Sequence, residues 1–188
     1  RVDLHVFEGG YAGLAAVEGD RVNVCLLATV AALRRSGGRP ERLLEHVRRN
    51  PAAEEALHGT AADGRWHSIG PLRFGVRKPA AAGVLFVGDA AGTIDPFAGE
   101  GMTHALLGAR LAVPVALRAA AAGSLSEEMA ARYTSAWMDA FAPATTRARR
   151  LARLLERPLA AKAAVAVLRA LGKPAFARLV AHTRTAHA

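Results

Sequence analysis

Apolar and polar positions alternate from the start of the chain, where Leu4 and Val6 fall two residues apart as in a strand. Gly9-Gly10 permits a turn, residues 11–17 continue extended, and Glu18-Gly19-Asp20 closes a hairpin before a strand over 21–30. In that strand Val22, Val24 and Leu26 share one face, with Asn23, Cys25 and Leu27 on the other. Apolar residues on both faces predict cover on both sides, with Cys25 as a small core residue. Pro40 opens a helix with Leu43, Leu44 and Val47 in one stripe, and Pro51 opens a shorter one ending near Gly59. Residues 66–74 return to an extended pattern. Residues 80–83 read as a loop, and Val84-Leu85-Phe86-Val87 reads as a short, wholly apolar strand of the buried parallel kind. A long Ala/Leu helix follows from Glu100 to about Ala122, bent or broken near Pro114. Residues 125–188 read as helices punctuated by Pro143, Pro158, Gly172 and Pro174.

Composition narrows the class. A chain of 188 residues that is 52% hydrophobic can bury a real core and is not a disordered one. One cysteine excludes an internal disulfide framework and fits a reducing compartment. No uncharged apolar run reaches the roughly 18 residues that span a bilayer. The formal charge of +9 is unevenly placed, because residues 147–188 hold ten Lys and Arg against the single Glu156. Within that stretch Arg147, Arg149, Arg150, Arg153 and Arg157 crowd a few turns, with Leu151, Leu154 and Leu155 on another face. Such a helix suits an anionic surface. An aromatic fraction of 5% without basic–aromatic interleaving disfavours nucleic acid.

Chemistry concentrates between Val84 and Thr103. The apolar strand ends at Gly88, where a side chain would block close approach by a ligand. Asp89 follows at the strand tip, where open α/β sheets place ligand-binding groups, and its carboxylate can accept two hydrogen bonds from a polyol. Pro96 stiffens a loop. Gly99 and Gly101 flank a helix start whose free N–H groups and dipole suit an electron-rich oxygen. Ala105, Gly108, Ala109 and Ala112 keep the helix behind them slim. A lone Gly-Asp or Gly-x-Gly is usually an ordinary crossover; the ordered series is not. The seven histidines show no metal-ligand spacing, and His104 reads as a packed or partner-bonded side chain.

This series resembles the second flavin-binding motif of the geranylgeranyl reductase and aromatic-hydroxylase superfamily, G-D-A-A-x(4)-P-x-x-G-x-G. Gly88-Asp89-Ala90-Ala91, Pro96, Gly99 and Gly101 match over about thirty residues, roughly 83–112. The resemblance implies an FAD-dependent oxidoreductase, a reductase or monooxygenase acting on a hydrophobic small molecule, with NAD(P)H as reductant. It implies that Asp89 binds the ribityl hydroxyls, that Pro96 lies beside the isoalloxazine, and that the N–H groups of Met102 and Thr103 point at the flavin pyrimidine oxygen. Hydroxylases often carry Asn at the position of Thr103. Gly10-Tyr11-Ala12-Gly13-Leu14 is similar to a degenerate form of the reductases' Tyr-x-Trp-x-Phe-Pro segment. Tyr11 is kept as a substrate-site candidate, while Gly13, Ala15 and Ala16 replace Trp, Phe and Pro and point to a roomier pocket.

The implied fold class is α/β: part of an FAD-binding Rossmann-like domain, with an antiparallel substrate-domain sheet and a C-terminal helical region. Its expected divisions are 1–78 for the substrate sheet and helices, 79–122 for the second flavin motif and 123–188 for the basic helices. No Gly-x-Gly-x-x-Gly turn for the ADP half of FAD is present, so the chain reads as a C-terminal half whose N-terminal half lies elsewhere. A cytoplasmic location, with peripheral membrane contact through the basic region, follows as an expectation. The alternatives are a flavin halogenase-like enzyme, which shares the Gly-Asp motif, and a basic helical module on an anionic membrane.

Overall fold

The computed structural model describes residues 2–81 and 83–185. Contacts divide the chain into two compact units, one of residues up to 72 together with 153–167, the other of residues 73–152 together with those from 168 on.

The first unit is a three-stranded antiparallel sheet with helices on one face. Strands β1 (Asp3–Phe7), β2 (Gly10–Val17) and β3 (Arg21–Ala28) pair in sequence order. The β2–β3 turn forms as the sequence predicts, with Gly19 and Asp20 at φ of 76° and 53°, left-handed values that glycine and aspartate tolerate best. Helix α1 (Val30–Arg35) starts directly after β3, where Thr29 caps it by accepting from Ala32 N. Its start ends the strand at Ala28, earlier than expected. Helices α2 (Pro40–Arg48) and α3 (Pro51–Leu57) bring Leu43, Val47, Ala53 and Leu57 into one core with Phe7, Ala12 and Leu14 of the sheet. Full burial of each large apolar side chain contributes about 1.5–3 kcal/mol. The far face of β3 is open at its first half and half-buried at Leu27. Arg21, Asn23 and Cys25 are exposed, so Cys25 is a surface thiol and not a core residue.

Strands in the second unit are two residues long: β4 (Gly75–Val76) pairs antiparallel with β7 (Gly92–Thr93), and β5 (Ala80–Ala81) with β6 (Val84–Leu85). The apolar run at 84–87 is therefore half of a tight hairpin turning at Gly83, not a buried parallel strand. Among the described residues its only ladder partner is Ala80–Ala81, and Val84 and Val87 remain exposed. Helix α4 (Gly101–Ala122) runs unbroken through Pro114, and α5 (Glu127–Leu155) through Pro143. Helix α6 (Pro158–Thr183) departs from helical geometry at Gly172, with φ 76°.

One column on α5 organises this unit. Tyr133, Trp137, Phe141, Ala144 and Ala148 recur every three or four residues and are all buried. Trp137 and Phe141 pack with tilted rings, 5.0 Å between centroids. Gly92 makes room for the indole, and Gly108 lies beside it at ordinary contact distance. A Cβ at Gly92 would lie 2.7 Å from Trp137 Cη2, and one at Gly108 would lie 3.8 Å from its Nε1. Tyr133 donates its hydroxyl to Phe86 O at 2.6 Å, which ties α5 to the segment after β6.

Candidate functional site

Seven of the eight residues singled out from the sequence fall on one continuous path in the second unit. After β6 the chain enters a 3-10 turn, Gly88–Ala90, with Gly88 at φ +55°. A Cβ on Gly88 would stand 3.3 Å from that of Ala105, so the glycine lets the turn lie against α4. Asp89 projects into solvent from this turn. A second 3-10 turn, Pro96–Ala98, is shaped by Asp95, whose Oδ1 accepts from Phe97 N at 3.1 Å. Gly99 closes it at φ +67°. Gly101 is the first residue of α4, Met102 is 81% exposed and Thr103 half-buried. Tyr11, the eighth, belongs to the first unit, where it is buried on β2 opposite Leu27 and Val6.

The start of α4 is open and uncapped. A side chain at Gly99 or Gly101 would meet no heavy atom within 4 Å. Glu100, at the N-cap, makes no capping bond. Its buried carboxylate instead accepts Thr185 N at 3.4 Å and lies 3.9 Å from Arg184 Nε. The first N–H groups of the helix are thus left without a side-chain acceptor, where the macrodipole favours negative charge.

One turn further, His104 faces inward, almost wholly buried, with Nε2 2.9 Å from Thr185 Oγ1 and its ring 4.6 Å from that of Phe141. Nδ1 has no partner among the described residues. Burial pushes the imidazole below the ordinary histidine range, against the opposing pull of Glu100 and Asp89. A neutral ring is a packed brace, consistent with its placement away from the solvent-facing side of the helix.

The contacts that hold this loop were not legible from the motif. Arg149 on α5 reaches Asp95 Oδ2 with Nη1 at 3.1 Å, and its guanidinium lies 5.1 Å from the centre of the Phe74 ring. The Asp-Pro pair announces an Asx turn at Asp95, but nothing local names an arginine 54 residues away. The basic cluster is correspondingly heterogeneous. Arg149 is engaged, Arg147 is half-buried, and Arg150, Arg153 and Arg157 are exposed; Leu151 is half-buried, Leu154 exposed, and the side chain of Leu155 lies outside the described residues. Among the described residues no cluster of His, Cys, Asp and Glu could hold a metal.

Away from this loop, α4 presents Met102, Leu106, Val113 and Leu117 on one exposed stripe, opposite buried His104, Gly108 and Ala112. It is the one helix among the described residues long and apolar enough to cross a membrane, by length and composition only.

No protein-family model matches the chain. Digeranylgeranylglycerophospholipid reductase 1 of Methanopyrus kandleri is 29% identical over 147 residues, 78% of this chain and 38% of that protein. Conditioned medium factor receptor 1 of Dictyostelium discoideum is 37% identical over 98 residues, 52% of this chain and 19% of that protein. Among solved structures, Pseudomonas aeruginosa PqsL, described as a probable FAD-dependent monooxygenase, superposes with a TM-score of 0.54 and 23% identity over 85% of this chain and 45% of its own. A quadruple mutant of PqsL gives 0.55 with the same coverage. The class defined is a mixed α/β fold like part of an FAD-dependent monooxygenase. The chain spans less than half the length of the relatives it matches.

Proposed function

We propose that this chain is the flavin-facing half of an FAD-dependent oxidoreductase, a reductase or monooxygenase of a hydrophobic small molecule, with NAD(P)H as reductant. The observation that carries the reading is the open, uncapped start of α4 behind Gly99 and Gly101, with the exposed carboxylate of Asp89 on the adjoining turn. Those residues fit the cofactor. Gly88 lets its turn lie against α4 and so sets the place of Asp89, which would hold the ribityl hydroxyls; Pro96 would border the ring system, and the N–H groups of Met102 and Thr103 would face the pyrimidine oxygen. FAD, when bound, supplies the electron transfer; this chain supplies position and a positive helix end that favours negative charge on the ring.

The proposal includes an ADP-binding half with a Gly-x-Gly-x-x-Gly turn, which this sequence does not carry, and the apolar stripe of α4 is the kind of surface such a half would cover. The hydrophobic substrate class is supported by the likeness to the Methanopyrus reductase, whose name places its substrate among isoprenoid phospholipids. Tyr11 stays a candidate for the substrate side. A cytoplasmic enzyme touching a membrane through exposed Arg150, Arg153 and Arg157 is compatible with that class.

FAD titration of the full-length apo-protein tests the assignment. Asp89→Ala removes a charge-assisted bond of about 1.5–3 kcal/mol, so affinity should fall roughly 10- to 150-fold. Unchanged affinity in a folded variant would defeat it. The 188 residues expressed alone should be colourless and prone to associate, and should become yellow when joined to a Gly-x-Gly-x-x-Gly half.

A further inference from the structure

The loop between β7 and α4 is buried at its ends, at Ile94 and Asp95 and at Glu100, and open in between. Pro96 and Gly99 are exposed, and the space around Gly99 is empty. Its one fully buried charged side chain is Asp95. Both carboxylate oxygens are committed: Oδ1 turns the loop by accepting from Phe97 N, and Oδ2 accepts from Arg149 Nη1, each at 3.1 Å. The first contact sets the local bend. The second is the long-range one, and it fixes where that bend sits.

Arg149 is in turn held in place. Its guanidinium lies over the Phe74 ring and its side chain is only 26% exposed, so the planar group presents one orientation to the loop. A buried carboxylate that loses a cation is destabilised, and the exposed turn at Pro96–Gly99 is the part of the loop free to move in response. Two residues beyond Asp95 the chain reaches Phe97, and six beyond it Gly101 begins α4. Displacement of Asp95 therefore moves the segment assigned above to the flavin.

We infer that Arg149 is a positioning residue for the flavin-facing loop, acting through Asp95 and not by touching the cofactor. This rests on the flavin reading of the same loop. It separates Arg149 from Arg150, Arg153 and Arg157, which are exposed, and gives one member of the basic cluster a task that its charge alone does not reveal.

The test compares Arg149→Met with the double variant Arg149→Met/Asp95→Asn in the full-length protein. FAD affinity, the visible flavin spectrum and thermal melting are the readouts. Arg149→Met should weaken FAD binding about tenfold or more, shift the flavin absorption bands and lower the melting temperature. The double variant removes the buried carboxylate charge together with Arg149, so its melting temperature should return toward the parent's. Its FAD affinity should stay low because the tie to α5 is still cut. Parental affinity and spectrum in folded Arg149→Met would overturn the positioning role, as would a double variant that recovers affinity along with stability. If Arg149→Met does not fold, the double variant alone decides. A parent protein that takes up no FAD would instead overturn the flavin reading beneath the inference.

Discussion

In the first unit, strands of five, eight and eight residues carry the fold, and helices α2 and α3 lay a continuous apolar layer over one sheet face. In the second, each strand is two residues long, and a single helical column of aromatic and alanine side chains gathers the pieces. Backbone pairing specifies the first unit, so many residues share the load. Side-chain packing specifies the second, so a few residues bear most of it. Loops that approach a ligand need freedom from ladder hydrogen bonds, and the second arrangement leaves them that freedom while anchoring them from behind.

The sharpest way to break the contrast is Trp137→Ala. It should cost about 3–5 kcal/mol, melt the second unit and leave the circular dichroism of the sheet unit largely in place. A two-step denaturant unfolding curve would show this; a single unchanged transition would mean the column is not the organiser. Tyr133→Phe removes only the hydroxyl that donates to Phe86 O, and a loss of about 0.5–1.5 kcal/mol should appear in the same curve.

His104 gives a pH dependence to the second unit. Its folded pKa is depressed by burial, so the unfolded state binds the proton more readily. The associated stability is fully present above about 6.5, the unfolded value, and is lost as pH falls below it toward the folded value. Melting temperatures measured between about pH 5 and 7 should rise with pH, and His104→Gln should flatten that rise. An identical slope in the variant would assign the effect elsewhere.

The smallest effect on stability is expected at the exposed stripe of α4. Leu106→Gln with Leu117→Gln should change the melting free energy by no more than about 0.5 kcal/mol per site. Self-association, followed by light scattering, should nevertheless fall, because an exposed apolar patch is removed.

What could be read in advance was what the local chain dictates. Gly19 and Asp20 mark their turn, Pro40 and Pro51 open their helices, and the glycines of 88–101 announce a backbone that must come close to something. The pairing of Val84-Leu85 could not be read, because an apolar run is equally suited to a parallel sheet and to the hairpin it joins. Cys25 was misplaced for a related reason. An apolar residue on a strand does not say whether its face will be covered. Pro143 was taken as a break, yet α5 continues through it, since the ring removes one hydrogen bond and the column on either side remains packed. The Arg149–Asp95 tie and the docking of Thr185 on Glu100 and His104 span 54 and more than 80 residues, and no periodicity encodes such pairs.

Gly92 and Trp137 carry a constraint on how this sequence can drift. With 2.7 Å between the missing Cβ and the indole edge, an alanine at 92 is barred for as long as the tryptophan stands. A smaller ring at 137 would remove the closest clash, though Gly75 O and Val76 Cα would still stand 3.2 Å from the new Cβ, and it would leave a void until the glycine grows. The order of substitution is therefore prescribed: the ring must shrink first, through an intermediate less stable than either end. Across homologues the two columns should covary, Trp with Gly and smaller aromatics with Ala, and an alignment would show it.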